Sequence, residues 1–196
     1  MKEVLCERPS VETGVGMFRQ ENKFILDATA GFRMMWFNKR HPNCIYLDQR
    51  PECEPDIVGD FRDLKQFPDE TFKMIVFDPP FWKGNSHANL WVRQYGLLNA
   101  ETWQSDLKQG VKELWRILKP YGVLFGKWSN YQIPSTEFLK LFPVDPLVYQ
   151  VTAAYGLKAK KRASDEEKLS TRHIEEKVKT LWFCFMKIPE QKETNP

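Results

Sequence analysis

Short apolar runs alternate along this chain with polar stretches rich in proline and glycine, and most of the runs stop at an acid. Phe24-Ile25-Leu26 ends in Asp27, Cys44-Ile45-Tyr46-Leu47 in Asp48, and Met74-Ile75-Val76-Phe77 in Asp78. None of the three alternates with polar residues, so each predicts a strand buried on both faces of a sheet. These strands are expected over residues 23–27, 43–48 and up to 77, with a short third strand over 56–61. Residues 102–118 carry Trp103, Leu107, Val111, Leu114, Trp115 and Leu118 at helical spacing, and Lys119-Pro120-Tyr121-Gly122 supplies the stop. A fifth strand is expected over 123–128, a short helix over 134–142, a sixth strand over 147–153 and a last one over 180–187. Residues 50–56 and 82–99 read as connections.

Composition narrows the class. With 196 residues, 42% of them hydrophobic and 14% aromatic, the chain is long and apolar enough for one globular domain with a full core. That domain is expected over 23–188, after a polar lead-in at 1–22 and before a loose tail at 189–196. A net charge of +3 permits a nucleic-acid partner without requiring one. No run reaches the length of a membrane span, and the first ten residues lack an apolar signal core. Cys6, Cys44, Cys53 and Cys184 are scattered, with no Cys-x-x-Cys pair. That spacing argues against zinc and a disulfide framework and fits a reducing cytoplasm. The oligomeric state is not legible.

The candidate chemistry sits at the strand ends. Asp27-Ala28-Thr29-Ala30-Gly31 follows the first strand and precedes the apolar Met34-Met35-Trp36-Phe37, so strand, small-residue turn and helix are expected in succession. Small residues let a ligand approach the backbone, and a helix start there would offer free N–H groups to a carboxylate or phosphate. The Gly-x-Gly-x-x-Gly dinucleotide fingerprint is absent, which favours a different adenosine ligand. Asp48 stands where an acid can hold ribose hydroxyls. Asp60 can accept from an adenine amino group with Phe61 over the ring, or simply open a surface turn. After the fourth strand comes Asp78-Pro79-Pro80-Phe81-Trp82. Two prolines cannot continue a central strand, so the run stops in a rigid turn. An acceptor carboxylate, the Pro79 carbonyl and the Phe81 ring are then held in a set that suits an exocyclic amine on a flat heterocycle. The alternative is an ordinary proline turn. In the following connection Trp82, His87, Trp91 and Tyr95 are interleaved with Lys83 and Arg93, which could touch phosphates. Lys158, Lys160, Lys161 and Arg162 form a basic cluster that is either a solvated loop or a phosphate contact.

The order of these motifs resembles the class I S-adenosylmethionine-dependent methyltransferases over most of the chain. Asp-Pro-Pro-Phe resembles the catalytic motif of amino-methyltransferases acting on nucleic-acid bases. Asp-Ala-Thr-Ala-Gly-Phe-Arg-Met-Met-Trp-Phe and Leu-Trp-Phe-Cys-Phe-Met-Lys resemble a group of small bacterial and phage methylase-like proteins. The resemblance implies an α/β fold: a Rossmann-like three-layer α/β/α sandwich on a mostly parallel seven-stranded sheet. It implies S-adenosyl-L-methionine as cofactor, with Asp27, Ala28, Thr29, Ala30 and Gly31 facing its methionine part, Asp48 its ribose, and Asp60 and Phe61 its adenine. Asp78, Pro79, Pro80 and Phe81 would hold the target amine, and Trp82, Lys83 and the basic cluster would contact substrate, with no metal required. The favoured activity is methylation of a base amine in DNA, adenine N6 first. RNA base methylation, small-molecule or protein N-methylation, and a non-catalytic partner subunit are the alternatives.

Overall fold

The computed structural model describes residues 22–84, 92, 95–153 and 179–189. Seven strands form one sheet: β1 (Ile25–Asp27), β2 (Cys44–Asp48), β3 (Ile57–Val58), β4 (Phe72–Phe77), β5 (Leu118–Ser129), β6 (Val148–Ala153) and β7 (Lys179–Met186). Their order across the sheet is β3-β2-β1-β4-β5-β7-β6. β1 pairs parallel with β2 and β4, β2 with β3, and β4 with β5, whereas β7 runs antiparallel to both β5 and β6. The chain winds outward from β1 to β3 and then returns to β4 on the other side of β1. The carboxyl ends of β1 and β4 therefore flank the point where winding reverses, which is where open α/β sheets place their ligands.

The uninterrupted apolar runs are explained by their position in the middle of the sheet, where all five residues of β2 are buried. Side chains alternate between the faces. On one face Leu26, Leu47, Ile75, Phe77 and Leu124 meet α1 (Trp103–Ile117) through Leu107, Val111, Leu114 and Ile117. Arg116, in the last turn of α1, bonds Glu113, Asp69 and the carbonyls of Leu64 and Phe67, and so pins the turn-rich connection between β3 and β4 to the helix. A second aromatic block lies over β5 and β7. There Trp128 stacks on Phe138 of α2 (Ser135–Leu139) with ring centroids 4.1 Å apart, and Phe142 stacks on Phe185 at 4.2 Å.

The opposite face departs from expectation. Ile25, Cys44 and Tyr46 are covered by Ala30, Trp36 and Met74, and the segment carrying Trp36 is a series of turns instead of the helix expected after Gly31. The cause is local. Gly31 and Arg33 both take positive φ (47° and 56°), which ends any right-handed helix before its first turn. Arg33 then bonds the carbonyls of Lys39 and Glu54 and lies 4.2 Å over the Tyr46 ring, so it fixes the turns to the sheet. The third strand is also shorter than expected, two residues against the six of 56–61. β5 starts earlier than expected: Leu118 pairs with Phe72, Lys119 to Gly122 bulge out, and pairing resumes at Val123 opposite Met74. Lys187 closes that bulge through backbone bonds with Tyr121 and Gly122, and its ammonium caps the carbonyls of Trp115 and Leu118.

Gly126 of β5 lies between Phe77 and Phe183, and a Cβ there would overlap the Phe77 carbonyl oxygen and come within 2.7 Å of the Phe183 ring. Neither neighbour can retreat, because one is backbone and the other is core. Gly126→Ala is expected to destabilise the fold by about 2 kcal/mol or more, in the range of core overpacking. Thermal melting tests this, and an unchanged midpoint would mean that the two strands lie farther apart.

Candidate active site at the reversal point of the sheet

The turn after β1 is stitched to the strands on both sides of it. Ala28 N–H donates to Val76 O at 3.0 Å, and Ala30 N–H to Leu47 O at 2.9 Å. Gly31 N–H donates to Asp48 Oδ2 at 2.7 Å, and Thr29 N–H to Asp27 Oδ1 at 3.3 Å. The Thr29 hydroxyl accepts the Asp78 N–H at 2.8 Å. The positive φ of Gly31 turns its N–H onto Asp48, and a Cβ there would lie 3.1 Å from the Arg50 guanidinium. The four N–H groups of this turn are thus already bonded within the protein, where a helix start with free donors for an anion is expected from the sequence.

The turn floors a cleft of about 1110 Å³. That is ample for one small ligand and allows two side by side. Of the residues singled out in the sequence, Asp27, Ala28, Thr29, Ala30, Gly31, Asp48, Phe61, Asp78, Pro80 and Tyr95 line it. Asp60, Pro79, Phe81, Trp82 and Lys83 do not. Phe61 is 6% exposed and packs edge-on against Phe77, so it forms part of the core as well as of the wall. Asp60 is held by Arg62 through backbone and side chain, and Arg62 also reaches Asp106 at 3.1 Å. Phe81 packs on the core, with Tyr95 and Trp82 at 5.8 and 6.0 Å. Trp82 in turn meets Tyr131 at 4.3 Å and buries its indole N–H without a partner among the described residues. The Lys83 backbone N–H donates to Gln132 Oε1, and the Lys83 ammonium lies 5.2 Å over the Trp103 ring. His87, Trp91, Arg93 and the cluster Lys158, Lys160, Lys161 and Arg162 fall outside the described residues.

Three carboxyls converge at adjacent strand ends, and each meets burial differently. Burial pushes Asp48 up, but four bonds from the Arg50 and Gly31 donors outweigh it and hold this carboxyl below its usual range. At Asp60, outside this trio, burial also pushes up, and Arg62 outweighs it and holds the carboxyl below its usual range. Asp78 is raised by burial against the pull of Lys127, whose ammonium lies 2.7 Å from Oδ2. Among the described residues Oδ1 of Asp78 has no partner. Asp27 is 3% exposed and has no cationic partner among the described residues. Burial pushes it up to about 7, even though Trp36 donates an indole N–H to Oδ2 at 2.7 Å.

The cations were not identified from the sequence. Arg50 and Arg62 had a readable signal, since Asp-x-Arg occurs at two successive strand ends (Asp48-Gln49-Arg50 and Asp60-Phe61-Arg62). Lys127 had none without the register that sets Gly126 beside Phe77. Among the described residues no group of three or more His, Cys, Asp and Glu side chains is placed to hold a metal ion. No described helix is long and apolar enough to cross a membrane.

The raised Asp27 has a consequence for stability. An acid whose folded value exceeds its ordinary 3.8 favours folding fully at pH below 3.8, and that contribution is lost as pH rises to about 7. Between pH 5 and 8 the loss is roughly 2–3 kcal/mol at about 1.4 kcal/mol per pH unit. Asp78 adds to it in the same direction. Asp27→Asn is expected to flatten most of this slope and to melt higher than the unsubstituted chain at pH 8. Denaturant titrations at the two pH values measure it. A slope equal to that of the unsubstituted chain would mean that Asp27 is ionised throughout.

No protein-family model matches the chain, and no curated protein matches it. Solved structures do. A provisional sarcosine dimethylglycine methyltransferase from Galdieria sulphuraria is 14% identical, with 85% of this chain and 79% of that one covered at a TM-score of 0.53. The provisional methyltransferase in complex with the Haloferax volcanii Trm112 methyltransferase activator is 15% identical, with 87% and 84% covered at 0.50. The [4+2]-cyclase SpnF is 10% identical, with 87% and 79% covered at 0.51. At such identities the likeness concerns the fold, and the fold of this chain is the Rossmann-like one shared with methyltransferases.

Proposed function

We propose that the chain is an S-adenosylmethionine-dependent methyltransferase acting on an exocyclic amino group of a nucleic-acid base, with adenine N6 in DNA the first candidate and an RNA base the second. The fold cannot carry this, since a cyclase shares it. The observation that supports it is Asp78: a carboxylate on the cleft wall, immediately before a rigid Pro-Pro turn, with Oδ1 unoccupied among the described residues and its backbone tied to the Asp27–Gly31 turn.

The cleft suits the cofactor. Asp27 is a buried carboxyl with no counter-charge among the described residues, which a sulfonium or ammonium group would supply. Phe61 offers an apolar wall for a purine ring. Ribose hydroxyls that reach Asp48 would replace the Arg50 guanidinium now on both of its oxygens. The bound cofactor supplies an electrophilic methyl on a good leaving group. The protein's own part is positioning. An aromatic amine is a poor nucleophile because its lone pair is delocalised into the ring. With one N–H on Asp78 Oδ1 and the other on the Pro79 carbonyl, the nitrogen is held pyramidal with its lone pair free for the methyl. As the new N–C bond forms, one amine proton is shed, and Asp78 Oδ1 is its first acceptor. A base inside a duplex has to leave the stack first. The half-exposed Phe32 and Met34 at the cleft, more than the packed Phe81, are placed to meet it.

Incubation with methyl-labelled cofactor and separate DNA, RNA, protein and small-amine pools tests the reading. Label is expected in nucleic acid, DNA first. Asp78→Ala should lower turnover by roughly 100-fold or more while leaving cofactor affinity within about threefold, as for a group that acts mainly in the transition state. Label confined to protein or small amines, or near-normal turnover in Asp78→Ala, would overturn it.

A further inference from the structure

Lys127 of β5 follows Gly126, which pairs with Phe77, and so it stands beside Asp78 at the end of β4. Its Nζ lies 2.7 Å from Asp78 Oδ2, with the two side chains only 22% and 18% exposed. On its other side Lys127 pairs with Trp182 of β7, and its ammonium lies 5.9 Å from that ring. The lysine is therefore held between two strands and shielded by an indole, unlike a surface lysine free to swing into water. Among the described residues the other charged groups near Asp78 are Asp27 on β1 and, beyond it, Asp48 on β2, which Arg50 already closes.

We propose that Lys127 is a positioning residue that sets the substrate class of this site: bound to Oδ2, it keeps Asp78 a carboxylate with Oδ1 left for the target, and its charge admits a neutral aromatic amine and rejects a protonated alkylamine. The inference rests on the amine-methylation reading above. Two physical steps carry it. A carboxyl this enclosed favours its neutral form, and a neutral carboxyl presents an O–H as well as an acceptor, which is the wrong partner for an amine N–H. The adjacent ammonium pulls against that preference and favours the carboxylate. It also makes the Asp78–Lys127 pair neutral as a whole, so an alkylammonium at Oδ1 gains little net attraction and meets the Lys127 charge at close range. An aromatic amine is uncharged and meets no such repulsion.

Lys127→Met and Lys127→Arg test this. Carbon-13 titration of labelled aspartate carboxyls, with Asp78→Asn for assignment, needs no substrate. Asp78 should titrate about one to two pH units higher in Lys127→Met than in the unsubstituted chain, and Lys127→Arg should restore it. An Asp78 titration that does not move in Lys127→Met overturns the proposal. With a single-stranded adenine-containing oligonucleotide, Lys127→Met should lose roughly tenfold or more in kcat at pH 7 and recover toward pH 9, while Lys127→Arg stays close to the unsubstituted chain and affinity for S-adenosylhomocysteine is unchanged. A uniform loss at every pH, shared by the arginine variant, would mark a merely structural role. Sarcosine serves as the alkylamine probe, and label on it from the unsubstituted chain overturns the substrate class. If that chain labels no nucleic acid, the base-methylation reading fails instead, and the carboxyl titration still decides whether Lys127 governs Asp78.

Discussion

The site depends on one short turn in which the backbone has no donor to spare. From Ala28 to Gly31 every N–H is spent, on Val76, on Asp27, on Leu47 and on Asp48. Buried N–H groups must be paired somewhere, and here three of the four partners come from the two strands on either side of β1. The ends of β2, β1 and β4 are consequently locked together at the place where the winding of the sheet reverses. Thr29 adds the last tie by accepting the Asp78 N–H. A residue with a larger side chain at Ala28 or Ala30, both nearly inaccessible, would have to displace its packed neighbours. The small residues therefore serve the strand junction as much as any ligand.

That locking forces acids together. Asp27, Asp48 and Asp78 come from three neighbouring strand ends, and each must be charged or neutral in a place where charge is costly. Asp48 is stabilised by the guanidinium two residues along its own chain, and Asp78 by an ammonium on the next strand. Asp27 is left with an indole N–H, and its equilibrium moves toward the proton. The indole belongs to the same turn-built layer that replaces a helix on this face, so the layer and the state of Asp27 are one structural fact. Arg33, at positive φ, accepts the Trp36 N–H on its carbonyl and so ties Trp36 into this layer.

The central strands were legible because such parallel strands are apolar without alternation, and three such runs end in acids at Asp27, Asp48 and Asp78. The helix after Gly31 was misread for a physical reason. Met34-Met35-Trp36-Phe37 has the apolar density of a helix face, yet Met34 and Phe37 are exposed, and only Trp36 packs against the sheet. Nothing in the composition announces an arginine in the left-handed region. The acids of the site were legible as strand-end residues, but what each one touches was not, because pairing is decided by register. Asp60 and Phe81 show the limit. Both stand in the right places along the chain, yet one is held by Arg62 and the other is packed on the core, so neither lines the cleft.

The balance of charges gives the cleft a direction. Asp48 and Asp78 each carry their own cation, so the ends of β2 and β4 are close to neutral as built. Asp27, between them, has no cation among the described residues and attracts whatever positive group can reach it. A cationic methyl donor and a neutral acceptor amine have different electrostatic needs, and under the proposed reading these two environments separate them within one cleft. The donor's charge would settle where a carboxyl is uncompensated, and the acceptor would settle where the carboxylate is already balanced and only its geometry is on offer. An arrangement with Lys127 beside Asp27 instead would invert this preference: it would repel the donor and draw cationic amines to Asp78. Which strand end carries the lysine is thus as consequential as which carries the acid, and the register between β4 and β5 decides it.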